Sequence, residues 1–129
     1  MTKKLLLDTQ VVLWIAENSA TLTNKAIAAV LDKTADKFVS IASAWEVAIK
    51  LGTKKLGLDG GLPEFFRMVD ENGFMLLPIE RAYLRQLSAL PDCHKDPFDS
   101  LLLATATYEK MTLFTADENF HKYDVPLLW

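Results

Sequence analysis

The sequence has one cysteine, Cys93, which excludes an intramolecular disulfide and points to a reducing compartment. Its two histidines, His94 and His121, lack metal-ligand spacing and each adjoins a lysine, so both read as loop or surface residues. Glycine is sparse. The one cluster, Gly57-Leu58-Asp59-Gly60-Gly61, lacks the Lys-Ser/Thr that completes a phosphate-binding loop and reads as a loop within the domain. No apolar stretch approaches the roughly 20 residues needed to span a bilayer. The start, MTKKLLLDTQ, is basic and then apolar, but Asp8 interrupts it before a signal-peptide core is complete and no cleavage site follows. A cytoplasmic protein is expected.

Basic charge is also short: 14 Lys and Arg against 17 Asp and Glu give a net charge of −3. Phosphate attraction normally comes from Lys and Arg, so this balance counts against a nucleic-acid enzyme, though weakly. A divalent-cation site needs clustered carboxylates, and the cation then supplies positive charge where a phosphate sits. The placement of the acids therefore matters more than the total.

What is present suits one compact domain, residues 1–129, with enough apolar side chain for a core that needs no staple. Short apolar runs alternate with helical patterns. Lys4 to Asp8 reads as a buried strand, followed by a helix through Trp14 and Ile15. Thr23 or Asn24 caps a second helix with Ile27, Val30 and Leu31 on one face. Phe38 to Ile41 is a second strand, and Ser43 to Leu51 a helix with Trp45, Ala48 and Ile49 as its apolar positions; Trp and aliphatic residues are expected in the core. Pro63 opens a helix that Asn72-Gly73 ends. Phe74 to Leu77 is a strand, Arg81 to Leu90 a helix grouping Tyr83, Leu84 and Leu87. Asp96-Pro97-Phe98-Asp99 has the form of a helix start, with Asp96 as N-cap and Pro97 at the first helical position. Thr112 to Thr115 gives a fourth strand and Val125 to Leu128 a short fifth. The alternation predicts an α/β fold: a central, mainly parallel sheet with helices on both faces. Right-handed crossovers then put every strand C-terminus on one edge, where open α/β sheets bind ligands.

Acids fall at that edge. Asp8 directly follows the first strand, where it either caps the next helix or faces the crevice. Glu46 sits in an apolar segment, on the solvated face of its helix or near the same edge as Asp8. Asp96 is chiefly a cap, while Asp99, one turn into its helix, projects toward the crevice. Asp117 follows the fourth strand and is either a cap for Glu118 to Tyr123 or a fourth member of the cluster. Packed acids repel unless a cation or shared proton intervenes. Oxygen-only ligation favours Mg²⁺ or Mn²⁺ over zinc. Such an ion suits phosphodiester hydrolysis: it neutralises the phosphate, activates water and stabilises the leaving oxygen.

Four segments, LLLDTQVVLW, SIASAWEVAIKLGTKKL, HKDPFDSLLLATA and LFTADENFHKY, give the chain a resemblance to PIN domains, specifically the VapC-type toxins of type II toxin–antitoxin pairs. The resemblance runs over essentially the whole chain. It implies a three-layer α/β/α sandwich and Asp8, Glu46, Asp99 and Asp117 as metal-binding and catalytic acids. Asp96 would be an accessory acid and Thr115 a hydrogen-bonding neighbour of the site. The implied activity is endoribonucleolytic cleavage with one or two Mg²⁺ or Mn²⁺ ions activating water. A homodimer and a cognate VapB-type antitoxin are also implied, with DNA contacted only through the antitoxin. Lys50, Lys54 and Lys55 are candidates for RNA backbone contacts, as are Arg81, Arg85 and Lys95, although any one of them is equally an ordinary solvated side chain. Competing readings are a PIN-fold nuclease without an antitoxin, acting in RNA processing or on DNA, and a catalytically silent binding module. An aspartyl-nucleophile phosphatase would want a second Asp where Gln10 stands.

Overall fold

A computed structural model describes residues 3–90 and 96–129. Cys93, His94 and Lys95 lie outside the described residues. The elements run β1 (Lys3–Leu7), α1 (Thr9–Ala16), α2 (Asn24–Leu31), β2 (Ala35–Ser40), α3 (Ile41–Gly52), α4 (Gly61–Glu71), β3 (Met75–Leu77), α5 (Arg81–Ala89), α6 (Pro97–Glu109), β4 (Thr112–Phe114) and β5 (Leu127–Leu128), with a 3₁₀ turn at Glu118–Lys122. The strands form one sheet in the order β3-β2-β1-β4-β5. Every pairing is parallel, so the expected sheet is parallel throughout. The chain winds outward from β1 through β2 to β3, then crosses back to place β4 on the other side of β1. The order of winding therefore reverses between β1 and β4, which is the crevice position for ligands in this class of fold.

Strand alternation divides the core. Leu5 and Leu7 of β1 face one layer with α1, α2, α3 and α4, where Val12, Val47, Phe65 and Val69 are buried. Leu6, between them, faces the other layer with Leu102, Leu103 and Ala106 of α6 and Phe120. Tyr83 of α5 packs with Leu101 of α6 and Ala42 of α3. This is an α/β/α sandwich. No helix among the described residues is long and apolar enough to cross a membrane.

Two helices dock on a face other than the one their apolar residues suggest. In α2 the contact face is Ala26, Ala29 and Val30, while Ile27 and Leu31 are exposed. In α3 the buried residues are Ala42, Ser43, Ala44, Glu46 and Val47, while Trp45, Ala48 and Ile49 face outward and Trp45 is 58% exposed. Both helices are apolar on more than one face, so periodicity leaves their rotation open; α3 packs chiefly against α1, α4 and α6, with Ala42 against Tyr83 and Leu101. Leu84 of α5 is likewise exposed while Tyr83 is buried.

Boundaries differ in detail. β2 begins at Ala35, and Ile41 belongs to α3 because Ser40 accepts a capping hydrogen bond from the Ala42 N–H. Thr23 is the cap of α2, accepting from Ala26. Pro63 is the third residue of α4 rather than the first, still within the turn whose N–H groups lack intrahelical partners. Lys110 ends α6 in the left-handed region, φ 57°. That backbone suits glycine. Lys110→Gly should raise stability by about 1 kcal/mol, read as a higher denaturation midpoint with unchanged slope.

Candidate active site

The turn between β1 and α1 sets the first acid. The Asp8 N–H extends the β1–β4 ladder by donating to the Phe114 carbonyl at 3.0 Å, which fixes the residue at the sheet edge. Asp8 holds the N-cap position of α1 without a side-chain capping bond. Its carboxylate instead accepts from Thr115 Oγ1 at 2.8 Å. Thr115 Oγ1 in turn accepts from the Asp117 N–H at 3.0 Å. One hydroxyl from the end of β4 therefore couples the two acids that flank the reversal of winding.

Asp8 is only 8% exposed. Burial raises its pKa above the ordinary carboxylate value, and the Glu46 and Asp117 charges push the same way; the Thr115 hydrogen bond opposes them, and the Gln10 N–H is the weakest influence.

Glu46 arrives from α3. Ser43, Glu46, Val47 and Lys50 stand at helical spacing on one face, and Ser43 is tied to α1 by a buried hydrogen bond from Thr9 Oγ1 at 2.8 Å. That bond sets the rotation of α3 and turns Glu46 into the crevice, 6% exposed. Glu46 Oε2 accepts from Lys50 Nζ at 2.7 Å. Glu46 Oε1 is buried with no hydrogen-bond partner among the described residues. A buried carboxylate oxygen left in that condition is costly, and a cation would relieve it.

Asp96 caps α6 by accepting from the Phe98 and Asp99 N–H groups at 2.9 and 3.2 Å. The cap places Asp99 in the first turn, facing the other acids. Its pKa is pushed up to about 7, first by burial and then by the charges of Asp8, Asp96, Glu46 and Asp117. Asp117 serves as a cap as well, accepting from the Asn119 N–H at 2.9 Å.

Asp8, Glu46, Asp96, Asp99 and Asp117 thus line one cavity of about 160 Å³, with Lys50 at its side. The strand–helix pattern places these acids at one edge; it does not reveal the Lys50–Glu46 pair or the Thr9–Ser43 bond. The signal for both was the Ser43, Glu46, Val47, Lys50 spacing, outweighed by the apolar one of Trp45 and Ile49. Lys54 and Lys55 lie beyond the end of α3 and are exposed, as are Arg81 and Arg85 on α5. His121 is exposed in the 3₁₀ turn.

The donor set is hard oxygen, and the partnerless Glu46 Oε1 fits a divalent cation. Among the described residues no three acids close around a single point as a metal cage. An open arrangement of this kind suits Mg²⁺, which usually takes one or two carboxylates, keeps several waters and completes its shell on substrate phosphate.

Residues 5–126 match the sequence model of the PIN domain. Comparison with curated proteins gives no match. Among solved structures, the chain is similar to VapBC2 from Rickettsia felis bound to a DNA fragment from their promoter, at 14% identity and TM-score 0.70, covering 96% of each chain. It is similar to DNA-bound VapBC from Salmonella typhimurium at 13% identity and TM-score 0.69, covering 98% of this chain and 97% of that one. It also resembles FitAcB from Neisseria gonorrhoeae at 19% identity and TM-score 0.66, covering 95% of each.

Proposed function

Because the chain belongs to the PIN-domain family, a family of nucleases, we propose that it is a Mg²⁺- or Mn²⁺-dependent endoribonuclease and the toxin half of a VapBC-type toxin–antitoxin pair. The observation that carries this reading is the convergence of Asp8, Glu46, Asp99 and Asp117 on one cavity beside the β1–β4 reversal, with a buried Glu46 oxygen that lacks a partner. The chain is read as a single domain.

Asp8, Glu46 and Asp99 would hold the cation, with Asp117 completing the set. A divalent ion bound there supplies positive charge for the phosphate and lowers the pKa of neighbouring water. The protein's own groups do the positioning. Thr115 orients the Asp8 carboxylate and holds the backbone of Asp117. Asp96 starts the helix that delivers Asp99. Asp99 has a pKa raised to about 7 by burial and the neighbouring acids in the metal-free protein, and a bound cation would hold it ionised as a ligand. Lys50 holds Glu46 in place, and its hydrogen bond to Glu46 keeps the ammonium firmly protonated. Lys50, with the exposed Lys54 and Lys55, is assigned to the RNA backbone.

In keeping with the DNA-bound VapBC structures it resembles, the chain is assigned an antitoxin partner that covers the acidic crevice and brings any DNA contact. The homodimer has a natural surface on α3, where Ile41, Trp45 and Ile49 form an exposed apolar stripe and Phe98 packs edge-on to Trp45 at 5.1 Å. Trp45→Glu should shift the protein from dimer to monomer in light scattering coupled to size exclusion. An unchanged mass would remove this stripe from the interface.

The activity itself is tested on purified protein with single-stranded RNA and the matching DNA. Cleavage of the RNA is expected with Mg²⁺ or Mn²⁺ and none with EDTA. Intact RNA in both ions would sink the reading.

A further inference from the structure

A second cavity, of about 300 Å³, opens beside the first and shares Asp8, Gln10 and Asp117 with it. Its remaining lining is Trp14 and Ala116. Gln10 and Trp14 are four residues apart on α1, so they stand on one helix face. Gln10 is exposed. Trp14 is only half-buried, whereas the preceding Val11, Val12 and Leu13 are buried. Its ring is braced by Trp129 at 5.4 Å, and Trp129 by Phe114 at 6.3 Å, which gives a supported aromatic wall. No Lys or Arg among the described residues lines this cavity.

Beyond the acids assigned to the cation, that lining offers no Lys or Arg to hold a phosphate of its own. It suits a planar, uncharged group with N–H donors. An aromatic wall takes the face of such a group, and a neighbouring amide reads its donor–acceptor edge.

We propose that this cavity is a nucleobase subsite. An unpaired purine of the RNA packs against Trp14, is read by the Gln10 side-chain amide, and so sets the adjoining phosphodiester over Asp8 and Asp117. A purine is favoured over a pyrimidine because its larger ring covers more of the indole, and stacking strength follows overlap. The inference rests on the nuclease reading above and deepens it: it assigns the residues that choose where the strand is cut. The cavity at the opposite edge of the sheet, lined by Leu31, Lys33, Asp36 and Lys37 among others, shares no residue with the acids and has no such continuity.

The test has two arms. In the first, cleavage sites on a single-stranded RNA of mixed sequence are mapped for wild type, Gln10→Ala, Trp14→Ala and Trp14→Phe. Wild type should cut beside purines. Gln10→Ala should redistribute the cuts, Trp14→Ala should raise KM about 10-fold or more, and Trp14→Phe should recover most of that loss. Because Trp14 also packs on Trp129, melting curves accompany each variant; Gln10 is exposed and keeps the test open if Trp14→Ala does not fold. The same cleavage map for wild type and Gln10→Ala, or no base preference in wild type, would overturn the subsite. In the second arm, adenosine is titrated against tryptophan fluorescence without any turnover. Quenching in wild type that is lost in Trp14→Phe supports the subsite; equal quenching in both overturns it. Absence of RNA cleavage with quenching intact would instead count against the nuclease reading alone.

Discussion

Asp8→Asn should abolish metal-dependent RNA cleavage while making the metal-free protein more resistant to heat. The loss of activity should exceed about 100-fold, because even outer-shell partners of a metal site cost 10- to 100-fold and Asp8 is placed at the centre of the donor set. The gain in stability follows from the same geometry. Asp8 is a buried carboxylate whose charged form is disfavoured by burial and by Glu46 and Asp117. Asparagine keeps the size, keeps an oxygen for the Thr115 hydroxyl at 2.8 Å, and removes the charge. Activity and melting temperature therefore move in opposite directions, which separates lost chemistry from lost fold. A variant that still cleaves at the wild-type rate would end the proposed mechanism, and one that melts lower than wild type would contradict the electrostatic account of Asp8.

The second large effect concerns pH. Asp99 has a folded pKa of about 7 against an ordinary 3.8. Between those values the folded protein holds a proton that the unfolded chain has released. Stability of the metal-free protein must then fall as pH rises from about 4 to about 7, by linkage. Asp8, also shifted upward, adds to the fall. Asp32 and Glu64 are shifted downward, so they act in the opposite sense, but their contribution is complete once pH exceeds the ordinary carboxylate range. The loss attributable to Asp99, discounted for solvent screening because the group is only partly buried, is about 1–2 kcal/mol. A divalent cation binds the ionised acids and reverses the trend, so Mg²⁺ should stabilise the protein more at pH 8 than at pH 5. Denaturant titrations at the two pH values, with Mg²⁺ or EDTA, measure this directly. Equal stability at pH 5 and pH 8 in EDTA would show that burial and the neighbouring acids do not disfavour the charged form of Asp99 as the geometry requires.

Much of this was legible in the residues themselves. The run Leu5-Leu6-Leu7 is apolar on both sides and reads as a strand covered on both faces, as the sandwich shows. Asp96-Pro97 at the start of α6 specified a capped helix, and the cap is there with the expected bonds to Phe98 and Asp99. The positions of Asp8 and Asp117 after strands put them on one edge without further information, because parallel strands share the direction of their C-termini.

What the tertiary structure decided was rotation and burial. Nothing in the sequence of α3 forces Glu46 inward: Trp45, Ala48 and Ile49 form the more apolar face, yet the helix docks on Ala42, Ser43, Ala44 and Val47. A helix that is apolar on two faces can dock on either, and the choice comes from packing against α4 and α6 and from the Thr9–Ser43 hydrogen bond across to α1. That choice buries Glu46 and pairs it with Lys50. It also leaves Trp45 as a surface for a second copy. The second cavity beside Trp14 is equally a product of assembly, since Trp129 at the end of the chain braces the ring and no local pattern links the two. The sequence by itself put Asp8 and Asp117 at the crevice edge, because parallel strands share the direction of their C-termini; contacts between elements distant in sequence brought Glu46 to them and determined how deeply each acid is buried.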